Sequence, residues 1–332
     1  MKVVVKRKLP ANYDERDKVF FQREFVKAME EPSSLTIRNA FITSQGVVYT
    51  GWRIVKASLV PDIPNDLNVS HLIAQMIKKS KIKWMGRKIP SVVFDYWYKG
   101  YFHWMTEVLP RILYLKKFGS DFIPVVPDAT DAPFIRKTLL PFDFKEYVWI
   151  KPDEYLFARK ALLVRHTAPT GNYNEDLIRE LRTLFRKYFV SAITAYPVDK
   201  IYISRLRTSR RRVINEEAIS ALLGEYGFLT LYFEDYSFEE QVRLAANAGM
   251  LISIHGAGLT NMLFMKAQTS ILEFRPKDDD TNLCYYALAS ALDLNYYYQF
   301  GEPEQKAKSI HDDLYIDVVK LRENVERMLS QP

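Results

Sequence analysis

The 332-residue sequence predicts an α/β protein built from two domains. Three observations lead there. The length exceeds what one hydrophobic core usually supports. From residue 91 onward, short apolar runs alternate with segments of helical spacing, the pattern of parallel strands joined by crossover helices. The turn-rich stretch Thr167-Ala168-Pro169-Thr170-Gly171-Asn172 interrupts that alternation and marks the internal boundary. The expected division is therefore a first domain over 1–170 and a second over 171–310. A terminal segment, 311–332, is a candidate to pack back on the first domain.

The first 90 residues read as irregular with short strands, one within Gly46–Trp52 and another over Ile54–Val60. Leu72–Lys83 mixes polar and apolar residues as a short helix would. Val92–Tyr96 is a buried strand, followed by a helix over about 102–118 that Pro110 must kink or divide. Ile123–Val126, Glu146–Ile150 and Ala161–Arg165 are further strands, with a helix from about Ala132. Past the boundary, Leu177–Val190 has helical spacing and Lys200–Ser204 is a strand running into a basic loop. Glu216–Tyr226 is a helix stopped by Gly227, and Phe228–Phe233 is a strand. Ser237 with Glu240 forms a capping box that opens a helix to Ala248. Gly249–Ile254 and Ser270–Phe274 are strands, Tyr285–Leu292 is a helix, and Leu314–Leu329 is a final amphipathic helix.

Composition narrows the function classes. A hydrophobic content of 48% with 26% charged residues describes a globular chain and excludes a disordered one. The 21 Tyr and 20 Phe fill cores first, and line sugar or base pockets second. A net charge of +7 suits an anionic partner: a nucleotide diphosphate, an anionic membrane face or nucleic acid. The single cysteine, Cys284, rules out an intrachain disulfide and argues against a Cys-based zinc site. The charged start lacks an apolar signal-peptide core, and no run reaches the length of a spanning helix. A cytoplasmic protein is the expectation, with peripheral contact at the inner membrane face left open.

Several constellations can carry chemistry. His255-Gly256-Ala257-Gly258-Leu259-Thr260 comes after a strand and opens a helix, so backbone N–H groups and the positive helix end meet there. Gly256 and Gly258 would let a diphosphate approach the backbone, His255 would donate to phosphate, and Thr260 would cap the helix or touch phosphate. A packing turn explains the same glycines. Arg205-Leu206-Arg207-Thr208-Ser209-Arg210-Arg211-Arg212 holds five arginines in eight residues, directly after a strand, where a doubly wound sheet opens its ligand crevice. Guanidinium groups suit phosphate because their planar fork binds oxygens in pairs; a solvated basic loop or an RNA contact is the alternative. Glu234-Asp235 faces a base or ribose, or simply leads into the capped helix. Glu273, expected to close its strand, takes sugar or ribose hydroxyls, or is a buried partner for arginine.

In the first domain, His103 and Glu107 lie four apart on one helical face, and Asp95 ends the preceding strand. Any of the three is a candidate base for a hydroxyl proton, and a His–Glu pair that merely fixes the helix start is the competing explanation. Asp278-Asp279-Asp280 superficially has the look of a metal motif but sits among loop residues, so no metal site is expected.

Taken in order, Tyr202-Ile203-Ser204-Arg205, Arg211–Glu216, Glu234–Gln241, His255–Thr260 and Leu272-Glu273 resemble glycosyltransferase family 61. So do Phe102–Glu107 and Leu109-Pro110-Arg111. The likeness covers about residues 90–275, and the first 85 residues match nothing recognisable. It implies a GT-B type fold, two Rossmann-like domains facing across a cleft. It also implies UDP-sugar donors, inversion, and no obligatory metal or other cofactor. By the same likeness Arg205 and Arg211 are phosphate ligands, His255–Leu259 the nucleotide cradle, Glu273 the carboxylate of the following strand, and His103 and Glu107 cleft residues of the first domain. Eukaryotic members carry secretory anchors and disulfides. Their lack here points to a bacterial-type, cytoplasmic enzyme of surface or capsular polysaccharide synthesis, acting on a glycan or glycolipid acceptor. Two rivals remain: a UDP-sugar epimerase on the same scaffold, and a nucleic-acid binder using the arginine loop, which no basic stripe with interleaved aromatics supports.

Overall fold

The structure, a computed structural model, describes residues 2–51, 53–60, 81–86, 88–190, 198–277, 279, 282–304 and 311–330. Two compact units emerge: Glu30–Thr170, and Lys2–Met29 together with Gly171–Pro332. The chain opens with β1 (Lys2–Lys6), a helix over Lys18–Phe25 and β2 (Val26–Glu30), which pairs with β1. This opening stretch belongs to the second unit, where a continuous 1–170 domain was expected. Its side chains explain why: Phe21 is fully buried against Tyr286 and Tyr298, and Asn12 donates to the Tyr298 carbonyl and to Asn324.

The first unit is a mixed sheet of β3 (Ser34–Thr43), β4 (Val48–Thr50), β5 (Arg53–Ile54), β6 (Lys81–Trp84), β7 (Ile89–Val92), β8 (Phe122–Pro127), β9 (Val148–Ile150) and β10 (Glu154–Val164). The order is β5-β4-β3-β10-β7-β8-β9, with β6 also on β10. Only β10-β7-β8-β9 is parallel, together with the β6–β10 pairing. The β3–β10 pair is antiparallel over most of its length, so the expected parallel sheet accounts for half of the unit. Alternation drives that pairing, since Ala40 and Ile42 oppose Ala158 and Leu156 on the buried face. The expected strand over Ile54–Val60 stops early. Ser58 donates to the Val55 carbonyl and accepts from Val48 N–H, which turns the chain into a short 3-10 segment. Most of the expected helix at Leu72–Lys83 lies outside the described residues, and its last residues belong to β6.

The helix after β7 is divided, as Pro110 requires. It runs as an α-turn over Tyr101–His103, a π-helical turn over Trp104–Val108 and α-helix again over Leu109–Leu115. Pro110 has no N–H to donate, and its ring would clash with the carbonyl four residues back; a widened turn relieves both.

The second unit is a doubly wound sheet of β11 (Lys200–Ile203), β12 (Leu229–Leu231), β13 (Met250–Ile254), β14 (Ser270–Pro276), β15 (Asn295–Pro303) and β16 (Leu314–Tyr315). The order is β12-β11-β13-β14-β15-β16, all parallel except β16. Strand order reverses between β11 and β13. In such sheets the ligand crevice opens at the carboxyl ends of the two strands flanking that reversal. The terminal helix Val318–Leu329, a candidate to pack back on the first domain, is capped by Asp317 and belongs to this second unit. Its Leu321, Val325 and Met328 complete a core with Ile219, Leu222 and Leu223, because those are the apolar positions of its buried stripe. None of the helices is long and apolar enough to cross a membrane, among the described residues.

Candidate functional site

Two clusters of polar side chains stand out, one in each unit. The first lies at the strand reversal of the second unit. β11 runs into Ser204 and Arg205, and β13 runs into His255 and Gly256. Gly256 has an extended backbone, and a Cβ built on it would sit 2.9 Å from Nη1 of Arg205. The guanidinium therefore lies over the glycine. The space at Gly258 is filled by Ile203, 3.1 Å from where a Cβ would be, so this glycine serves strand–helix packing. Gly256 leads into a 3-10 helix over Ala257–Phe264, where an α-helix was expected. Its first N–H groups, on Ala257 and Gly258, have no intrahelical acceptor by construction. Leu259 and Thr260 are fully buried, Thr260 beside the Tyr285 phenol, which corrects the expectation that Thr260 reaches a phosphate.

Four of the loop's five arginines sort into two classes. Arg207 pairs with Asp235 at 2.5 Å and stacks over Tyr232, and Arg212 pairs with Asp313 at 2.6 Å. Arg205 and Arg211 have no acidic partner within salt-bridge distance among the described residues, and Nε of each is buried without a hydrogen-bond acceptor. Burial pulls both guanidinium groups below their ordinary range, and for Arg211 the positive charge of Arg205 adds to it. Arg211 also adopts a left-handed backbone, φ 58°, that a non-glycine residue holds only at a cost. Two desolvated like charges and a strained backbone are an arrangement that an anion would relieve.

Glu273 is not at its strand end. It sits mid-way along β14, fully buried, and accepts from Nδ1 of His255 at 2.5 Å and from the Tyr296 hydroxyl at 2.6 Å, with Arg275 Nη1 at 3.4 Å. It is closed to a ligand and stands behind the imidazole. Since a carboxylate only accepts, His255 carries its proton on Nδ1. Burial lowers the imidazole's proton affinity, with the charge of Glu273 opposing. Asp279 lies against Arg275; Asp278 and Asp280, the rest of the acidic run, lie outside the described residues.

The second cluster is in the first unit, where the parallel strands β7 and β10 deliver Asp95 and His166 past their carboxyl ends. Asp95 Oδ2 is 3.0 Å from Arg111 Nη1 and 3.0 Å from His166 Nε2, and Oδ1 accepts from Trp97 N–H. Arg111 is fully buried and also donates to the Val164 carbonyl. Burial pushes the Asp95 carboxyl up, but His166 and Arg111 outweigh it and hold it at about 2. Glu107, on the π-helical turn, is buried with His103 Nδ1 at 3.2 Å, and neither of its oxygens has an aligned hydrogen-bond donor among the described residues. His103 is the most exposed member, and its ring lies tilted against Trp97 with centroids 4.4 Å apart. Ligand atoms of Asp95, Glu107 and His166 lie within 4.8 Å of one another, a spacing that a cation can bridge, although Arg111 already supplies positive charge to the same carboxylates. His166 escaped the sequence reading because it stands alone between the expected strand end at Arg165 and the turn-rich boundary from Thr167; its only signal was a position just past a strand end.

A family model described as Glycosyltransferase 61 matches residues 101–272, just over half of the chain. The chain belongs to that family. The match takes in His103, Glu107, Arg111, His166, Arg205, Arg211 and the His255–Thr260 turn. A human protein O-linked-mannose beta-1,4-N-acetylglucosaminyltransferase 2 is 35% identical over 111 residues, 31% of this chain and 19% of that protein. An EGF domain-specific O-linked N-acetylglucosamine transferase of Drosophila melanogaster is 35% identical over 106 residues, 30% of this chain and 20% of that protein. The chain thus matches about a fifth of the length of these curated relatives. Both are animal enzymes, and a bacterial-type membership draws no support from them.

Proposed function

We propose that this chain is an inverting glycosyltransferase that moves a sugar from a UDP-sugar to a hydroxyl of a glycan or glycolipid acceptor. The observation that carries the reading is the pair Arg205 and Arg211. Both are desolvated and lack acidic partners among the described residues, and Arg205 lies over Gly256 at the carboxyl edge of a doubly wound sheet. A diphosphate would bind between their guanidinium groups and the first N–H groups of the Ala257–Phe264 helix. In transfer, the β-phosphate gains charge as the glycosidic bond breaks, and these fixed positive groups stabilise it in a site of low dielectric. That role needs no metal.

Of the three base candidates, Glu107 fits best. Asp95 is held ionised by Arg111 and His166, with its lone pairs engaged, and so is a poor proton acceptor. Neither oxygen of Glu107 has an aligned hydrogen-bond donor among the described residues, and His103 lies beside it. It would take the acceptor's proton as the new bond forms, while UDP leaves from the opposite face of the sugar. A GT-B organisation, a cytoplasmic location with contact to the inner membrane face, and a role in surface polysaccharide synthesis belong to the same reading. The relatives' names put N-acetylglucosamine among the donor sugars to be tried first.

Thermal-shift screening of UDP-sugars should find one that raises the melting point, and calorimetry should then give its affinity and that of UDP. Arg205→Ala should remove UDP binding from a folded protein. Undiminished affinity in that variant would sink the donor-site assignment.

A further inference from the structure

The His255–Glu273 pair does more than brace a loop. Glu273 is fully buried, and Arg275, Tyr296 and His255 together engage both of its oxygens. Its acceptance of a hydrogen bond from Nδ1 fixes the imidazole, and leaves Nε2 as the ring nitrogen that points away from the carboxylate. His255 immediately precedes Gly256, over which Arg205 lies. The ring also meets Tyr285 edge-on at 4.9 Å, and the charge of Arg211 is felt at both His255 and Tyr285. The groups facing the imidazole are therefore Glu273 and Arg275 from β14, Arg211 from the loop after β11, and Tyr285 from the helix Cys284–Ala291, while Arg205 lies over the next residue, Gly256. In the free protein burial, together with the charges of Arg275 and Arg211, outweighs the single carboxylate and lowers the ring's affinity for a second proton. A bound diphosphate brings two to three negative charges into the same space and reverses that balance.

We propose that His255 takes up a proton when a nucleoside diphosphate binds, with Glu273 as its fixed counter-charge, so that donor-site occupancy is coupled to proton uptake. The proton comes from solvent to Nε2, whose N–H then donates to a phosphate oxygen; no bond of the ligand is broken. The coupling rests on the diphosphate reading of this site and gives His255 and Glu273 distinct roles within it. His255 is the group that binds the proton and the ligand, and Glu273 is a positioning residue that acts through it.

The test is calorimetry of UDP binding between pH 7.5 and 8.5, in buffers of different ionisation enthalpy. Free terminal phosphate, with a pKa of about 6, has lost its proton there. The slope of apparent enthalpy against buffer enthalpy should show uptake approaching about one proton, and affinity should fall up to about tenfold per pH unit, the linkage of one proton. Glu273→Gln keeps an amide oxygen for Nδ1 but removes the counter-charge, and should bind UDP without uptake; His255→Asn, which cannot titrate, should also show none. Uptake that persists in both variants would place the proton on the ligand or elsewhere and overturn the proposal. So would wild-type binding with no buffer dependence, which leaves the diphosphate site standing. No UDP binding at all would remove the donor-site reading and this inference with it.

Discussion

Arg205 lies over Gly256, with Nη1 2.9 Å from the point where a β-carbon would be. That contact joins the ends of β11 and β13 at the strand reversal. Gly256→Ala would push the guanidinium aside. The backbone there is extended, a conformation any residue adopts, and the displaced atoms are the far end of a flexible side chain. The fold should therefore survive with little change in melting point, while UDP affinity falls roughly tenfold, about 1.4 kcal/mol. Gly258→Ala should behave in the opposite way, since its β-carbon would press on the buried Ile203 and cost stability first. Equal effects of the two on UDP affinity would contradict the assignment.

Arg211 holds a left-handed backbone and a desolvated charge next to Arg205. Arg211→Gly removes both burdens, so thermal stability should rise, by about 1 kcal/mol from the backbone alone. UDP binding should be lost at the same time. Such opposed changes mark a site that sacrifices stability for ligand. A variant that is less stable than the wild type would mean that Arg211 has a structural role.

Glu107→Gln keeps the shape of the π-helical turn and removes the basic oxygen. UDP affinity should be unchanged and turnover of an active UDP-sugar should drop at least about 100-fold, the usual contribution of a general base. Retained turnover would eliminate Glu107 and return attention to His103.

Asp95 serves stability. Its carboxyl is held at about 2, below the ordinary value near 3.9, so the folded state gains from its ionisation above that ordinary value. The gain is about 2 kcal/mol at neutral pH and is lost as pH falls from about 4 towards 2. Asp95→Asn removes it and leaves buried Arg111 without its ion-pair partner, with only the charge of Glu107 near, at a cost of roughly 3 kcal/mol. Urea unfolding at pH 7 and again near pH 2.5 should show the gap between wild type and variant shrinking. A gap that does not depend on pH would rule out the ionised-pair account.

Much of the second unit was legible in the chain because its signals are local. The capping box at Ser237 and Glu240, the strand Met250–Ile254 and the glycine-bearing turn after it are read from neighbours in sequence. β15 was not read, although Tyr296-Tyr297-Tyr298 has strand character and Asp293, Asn295, Gly301 and Pro303 flank it with turn formers, because its apolar run shows no alternation. The antiparallel half of the first sheet was missed for a different reason. β3 and β10 are more than 100 residues apart, and only their pairing shows that both are long strands.

The sequence by itself determined the α/β class, the family likeness and the residue types that collect at the turn after β13. Those depend on periodicity and on motifs a few residues long. Tertiary structure alone decided which of these arginines have an acidic partner among the described residues. Arg207 and Arg212 are neutralised by Asp235 and Asp313, partners 28 and 101 residues away, while Arg205 and Arg211 are not. It also moved Glu273 from a presumed ligand to the partner of His255, and added His166 to Asp95. Charge pairing and burial depend on distances across the fold, which residue spacing along one chain does not encode.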